Sequence, residues 1–193
     1  MKKFLIAIGI LFAVMLLIGL MIFGWITGSY NNLVAQRMSC NTQWSQVETQ
    51  YQRRMDLIPN LVEATKGYLS HEQVVFKNIA DARTHYAGAV GEDKIKAQSQ
   101  LESALARLLV IVENYPNLKA DGTIRDLMAE LAGTENRVNV ARQRYNEAVQ
   151  IYNTYVQSFP SNIIAGSFNF KEKTLYEAMK GAEVAPQINL KLN

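Results

Sequence analysis

The residues able to do chemistry are few and scattered. The chain has two histidines, His71 and His85, and one cysteine, Cys40. His71-Glu72 opens a metalloprotease-like pattern, in which a second histidine four residues on would complete a zinc site on one helix face. In "HEQVVFK" that position is Val75, and His85 lies outside the spacing. Asp56, Glu63 and Glu72 are isolated carboxylates, explained by helix caps and solvated faces. The sequence has no glycine-rich phosphate loop, no nucleophile elbow and no Cys–His pair at usable spacing. A single cysteine excludes an internal disulfide and any multi-cysteine metal site. The expectation is a non-enzyme with no cofactor and no bound metal. A net charge of +3 without a dense basic run argues against nucleic acid as a partner.

With no reactive centre to position, the elements carry the information. Residues 4–26, "FLIAIGILFAVMLLIGLMIFGWI", contain no charge. At about 1.5 Å per residue they span roughly 34 Å, enough for a hydrocarbon core of about 30 Å. A signal peptide would have a shorter apolar core and a small-x-small cleavage site, and "GWITGSY" is a poor one. Residues 1–28 therefore read as an uncleaved single-pass anchor. Phe4, Leu11, Leu17 and Phe23 face lipid, and Trp25 sits at the interface with Tyr30 beyond it. Lys2 and Lys3 precede the span, while Arg37 is the only basic residue soon after it. The positive-inside rule places the N-terminus in the cytoplasm and residues 28–193 outside it.

Beyond the anchor, apolar residues recur at steps of three and four. The pattern predicts helices over about 29–55, 57–87, 92–115 and 123–159. Arg37 lies on the first stripe, read as a packed stem with its head in water. The last helix carries a coiled-coil-like seam: Ile124, Leu127, Leu131, Thr134, Val138, Ala141, Tyr145, Ala148, Tyr152, Tyr155 and Phe159. Gly133 interrupts it and predicts close helix approach or a bend. Short connections between four amphipathic helices predict an all-α fold, an antiparallel up-and-down four-helix bundle over 29–159.

The stretch "RRMDLIPNLVEATKGY", residues 53–68, admits two readings. The apolar phase passes through Pro59 undisturbed, which favours one helix. An interior proline costs about 3 kcal/mol, however. Arg53 and Arg54 would suit a helix end, Asp56 an N-cap and Pro59 a first turn. These charges favour a tight turn around 55–57, marked by Asp56 and Pro59. A turn there brings residues 160–171 of the tail, 160–193, back to the membrane; the other reading is a tail that simply covers the open end of the bundle. In its apolar segment 160–171, Ile163, Ile164, Phe168 and Phe170 become candidate membrane or self-association contacts, with Lys171 and Lys173 available to anionic head groups. A straight helix through Pro59 would instead leave the tail at the far end.

At "YNNLVAQR" (30–37), "WSQ" (44–46), "RRMDLIPNLVEATKGYLSHE" (53–72), "ADAR" (80–83) and "FPSNIIAGSFNFK" (159–171) the chain resembles the LemA family of bacterial membrane proteins. The resemblance covers nearly the whole chain. It implies an N-terminal single-pass anchor, a four-helix bundle and no established enzymatic activity. Family members are often encoded near a membrane zinc protease, which implies a role in the cell envelope by association. Two functions follow as expectations. The first is a self-assembling structural scaffold, a homo-oligomer that organises or remodels membrane lipid. The second is an adaptor for a membrane protease or another envelope protein.

Overall fold

The computed structural model describes residues 2–68 and 72–176, and every element among them is helical. Six helices follow in order: α1 Lys2–Lys66, α2 Gln73–Gly88, α3 Glu92–Asn114, α4 Pro116–Ala120, α5 Gly122–Gln157 and α6 Ser161–Ser167. They divide into two compact units. One holds the chain up to Ser45 with Gln143–Lys173; the other holds Gln46–Arg142 and the chain from Thr174 onward. Both long helices, α1 and α5, contribute to each.

The expected turn at Asp56 and Pro59 does not exist. α1 is one helix of 65 residues with Pro59 inside it. Its apolar phase explains why. Met55, Ile58, Leu61 and Thr65 are all buried, while Pro59 is exposed. Burying Ile58 and Leu61 contributes about 1.5–3 kcal/mol each, enough to offset the roughly 3 kcal/mol of an interior proline. The charges that resembled caps have other partners. Arg53 pairs with Glu130 on α5 at 3.3 Å, Arg54 with Glu135 at 3.7 Å, and Asp56 accepts from the Gln52 amide at 2.9 Å. The chain leaves the helix at Gly67–Tyr68 instead, after a basic Lys66 in the last turn.

With the turn shifted, the described residues of the second unit still form four long helical segments, with the short α4 between the last two. The later part of α1, α2, α3 and the earlier part of α5 alternate in direction. Pairs Tyr51–Arg142 and Arg54–Glu135 run antiparallel between α1 and α5. α2 and α3 form a hairpin across Gly91, whose φ of 59° favours glycine; His85 and Gln100 meet across it at 2.7 Å. Leu101, Leu105, Leu108, Ile79 and Ile124 fill the core. Asp121 caps α5, its carboxylate accepting from the backbone N–H groups of Thr123 (2.9 Å) and Ile124 (3.1 Å). Gly133 is not a point of close approach: a Cβ there would meet only the end of the Arg137 side chain at 3.4 Å.

The first unit has fewer helices. The early part of α1 runs antiparallel to the end of α5, with Asn32 donating to the Tyr155 hydroxyl at 2.8 Å and Trp44 edge-on to Tyr145 at 5.4 Å. α6 and residues 168–173 complete it.

Candidate functional site

The apolar stretch of α1 is the most conspicuous surface of the first unit. None of its most apolar 18-residue window is buried in the protein. Phe4, Leu11, Leu17, Phe23 and Trp25 all project outward. In water each such side chain would forgo about 1.5–3 kcal/mol of burial. A continuous collar of them, with a mean hydropathy of 3.1, has the composition of a bilayer-crossing helix. Thr27 closes it, its hydroxyl donating to the carbonyls of Phe23 and Gly24 at 3.1 and 3.0 Å, so no polar group is stranded at the boundary.

The tail packs beside the exit of this stretch. Ser161 donates to the Tyr155 and Ser158 carbonyls at 2.6 and 2.9 Å. α6 ends in a Schellman motif. Asn169 takes a left-handed φ of 55°, its N–H bonds the Gly166 carbonyl, and the Phe170 N–H bonds the Ala165 carbonyl. That turn drives Phe170 inward, where its ring lies 5.7 Å from Tyr30 and 4.9 Å beneath the Arg37 guanidinium. Arg37 is exposed overall, and it is its head that lies on the ring. Phe168 meets Tyr30 edge-on at 4.9 Å. The chain then climbs along α5, its Lys173 N–H and carbonyl both bonded to the Asn153 amide at 2.9 and 2.8 Å. The four tail residues expected as contacts therefore divide. Ile164 and Phe170 are buried within the unit, while Ile163 and Phe168 remain exposed. The Lys173 ammonium donates to Asn41 at 3.0 Å.

The second unit contains a polar cluster that sequence reasoning missed. Tyr51 donates to Glu102, Arg142 donates to the Tyr51 hydroxyl, and Arg142 pairs with Glu102 at 2.9 Å. The guanidinium also lies over the rings of Tyr51 and Tyr176, at 5.4 and 5.0 Å. Tyr176 donates to the buried Gln98 at 2.7 Å. Burial, reinforced by the Glu102 carboxylate, pushes the Tyr51 phenol far above its ordinary range. A phenol so held stays neutral and serves as a hydrogen-bond bridge, not a base. The cluster ties α1, α3, α5 and residue 176 into one register. Glu102 and Arg142 adjoin the seam positions Leu101 and Ala141, which was the available signal. In the first unit, burial raises the Cys40 thiol despite the opposing charge of Lys173, leaving a poor nucleophile. Among the described residues no group of His, Cys, Asp and Glu could hold a metal; His71 lies outside them.

An apolar helix able to cross a bilayer, merging without a linker into packed antiparallel helices, defines an all-helical, single-pass membrane protein. The LemA family model matches residues 43–190, and the chain belongs to that family. Similar proteins include MamQ 1 and MamQ 2, magnetosome proteins of Paramagnetospirillum magneticum. Each is 25% identical over 189 residues, covering 82% of this chain and 70% of the relative. Protein LemA of Metamycoplasma hominis is 23% identical over 166 residues, covering 84% of this chain and 75% of that protein.

Proposed function

We propose that the protein is a non-enzymatic scaffold of the cell envelope that self-associates through its anchor and organises the surrounding membrane. The observation that carries this reading is the unbroken α1. A helix of 65 residues contains both the apolar stretch and the first packed residues beyond it. A tethered enzyme or receptor gains from a flexible linker; a scaffold gains from a stiff one, because the folded part keeps a fixed attitude to the bilayer. Gly24 and Gly28 support self-association. They lie four apart on one helix face, and a Cβ at either would meet nothing within 4 Å. Small residues so placed let two membrane helices approach closely. The seam of α5 no longer supports it, since Ile124, Leu131, Val138, Tyr145 and Tyr152 are buried within the chain itself.

Cysteines at Gly24 or Gly28 in a Cys40→Ala background test the reading in native membranes. Oxidation is expected to yield a band of two linked copies. A chain that stays single at both positions overturns it. The adaptor reading rests on an open polar groove of about 570 Å³ lined by Asp81, His85, Ser99, Gln100 and Arg107. A photo-crosslinker at Ser103 that captures a different polypeptide in place of self-linked product would favour it. The proposed orientation, N-terminus in the cytoplasm, predicts that Arg144→Cys in intact spheroplasts reacts with a membrane-impermeant maleimide.

A further inference from the structure

The tail around α6 leaves three large apolar side chains facing outward: Phe159 at 81%, Ile163 at 55% and Phe168 at 53% exposure. They belong to a segment, 159–170, with no charged residue at all. Their position is fixed. Phe168 touches Tyr30 at 4.9 Å, and Tyr30 stands four residues past Ile26, the end of the apolar run. That is about 6 Å along the helix axis. The polar layer of a bilayer is about 5–7 Å deep on each side, half the difference between its full and hydrocarbon thicknesses. Helical side chains lean toward the N-terminus, so the Tyr30 ring tilts toward the lipid and carries its neighbour with it. Resting on the reading of residues 4–26 as an anchor, we infer that α6 and its flanks form a second membrane contact, an uncharged foot set into the lipid interface.

The foot is built to hold this pose. Ile164 and Ala165 are buried against the unit, the Ser161 bonds fix its start, and the Schellman turn at Asn169 fixes its end. Insertion therefore adds apolar contact without ordering a loose chain, which is the usual entropic penalty of a tail. Phe159, Ile163 and Phe168 are the residues that enter; Ile164 and Phe170 hold the foot shut behind them. The occupant of this face is lipid and not a second copy, because the anchor fixes the face within the head-group layer of its own bilayer. Being uncharged, the contact is indifferent to head-group charge.

The test uses the full chain in a Cys40→Ala background, reconstituted into phosphatidylcholine vesicles and separately into vesicles with one third phosphatidylglycerol. An environment-sensitive fluorophore is placed on Ile163→Cys, on Phe159→Cys, on Leu17→Cys in the anchor and on Arg144→Cys as an aqueous reference. The expected result is several-fold stronger quenching of the 159 and 163 labels by shallow doxyl lipids than of the 144 label. Iodide should show the opposite order, and both lipid mixtures should agree. Labels at 159 and 163 as open to iodide as the 144 label overturn the foot. Labels shielded from both quenchers also overturn it, since protein then covers the face. A Leu17 label, which lies near the bilayer centre, is read with deep doxyl lipids: escape from them means the anchor reading itself has failed, and deep quenching at Leu17 without shallow quenching at 159 and 163 sinks only the foot. Circular dichroism of each labelled chain confirms that the helices persist.

Discussion

Tyr51, Glu102 and Arg142 illustrate how this fold treats charge. The two ions, Glu102 and Arg142, are largely withdrawn from water, and each is tolerated because the other and the neutral Tyr51 phenol meet it. Removing one partner strands the other, so Glu102→Ala is expected to lower unfolding stability by about 3–5 kcal/mol. Replacing both, as Glu102→Leu with Arg142→Met, should recover most of that loss in denaturant titrations. A paired replacement as damaging as the single one would show that the cluster contributes more than mutual neutralisation. Tyr51 adds a pH dependence. Its folded pKa lies above the unfolded value, so the neutral phenol is favoured in the native state. The associated stability is fully present below the unfolded pKa of about 10 and declines as pH rises beyond it. Tyr51→Phe should flatten the fall in stability between pH 10 and 11, relative to the parent chain, and lower stability at pH 7 by about 1 kcal/mol. Curves that stay parallel above pH 10 would contradict the assignment.

At the scale of elements, Pro59 carries the main lesson. An interior proline should be a stability defect, so Pro59→Ala is expected to raise unfolding free energy by about 1–3 kcal/mol. At a turn between 55 and 57 the same change would be neutral or slightly destabilising. Gly133→Ala, with only a movable Arg137 end nearby, should add about 0.5–1 kcal/mol in the same denaturant titrations. Both the reading through the proline and the true turn were legible. The stripe Met55, Ile58, Val62 and Thr65 keeps its phase through Pro59, and Lys66-Gly67 is a helix ending of the ordinary kind. Caps were preferred because Arg53, Arg54 and Asp56 also fit a helix boundary. The partners of the two arginines, Glu130 and Glu135, lie far along the chain, where local spacing carries no signal, while Asp56 accepts from Gln52 one turn back on the same helix. The expectation that a straight helix would strand the tail also failed, because α1 ends at Lys66 and α2 still runs antiparallel to it, so the number of reversals did not change. α6 escaped periodicity reading for a simpler reason. Seven residues give less than two turns, and the burial of Ile164 beside an exposed Ile163 depends on the Asn169 turn that follows.

Across the whole molecule, the anchor and the all-helical class follow from composition and period, because both rest on apolar area and its spacing. Self-association does not, since it depends on what another copy presents. Self-association through the membrane helices is the behaviour proposed for the whole molecule. Its most direct measurement is the mass of particles extracted from native membranes with a lipid-retaining polymer, without detergent. After subtraction of polymer and lipid, the account predicts protein masses at integer multiples of 21.7 kDa, two copies or more. It also predicts that Gly24→Leu with Gly28→Leu shifts the population to one copy. Particles holding one chain of the unaltered protein, or one chain with a different polypeptide, would contradict it.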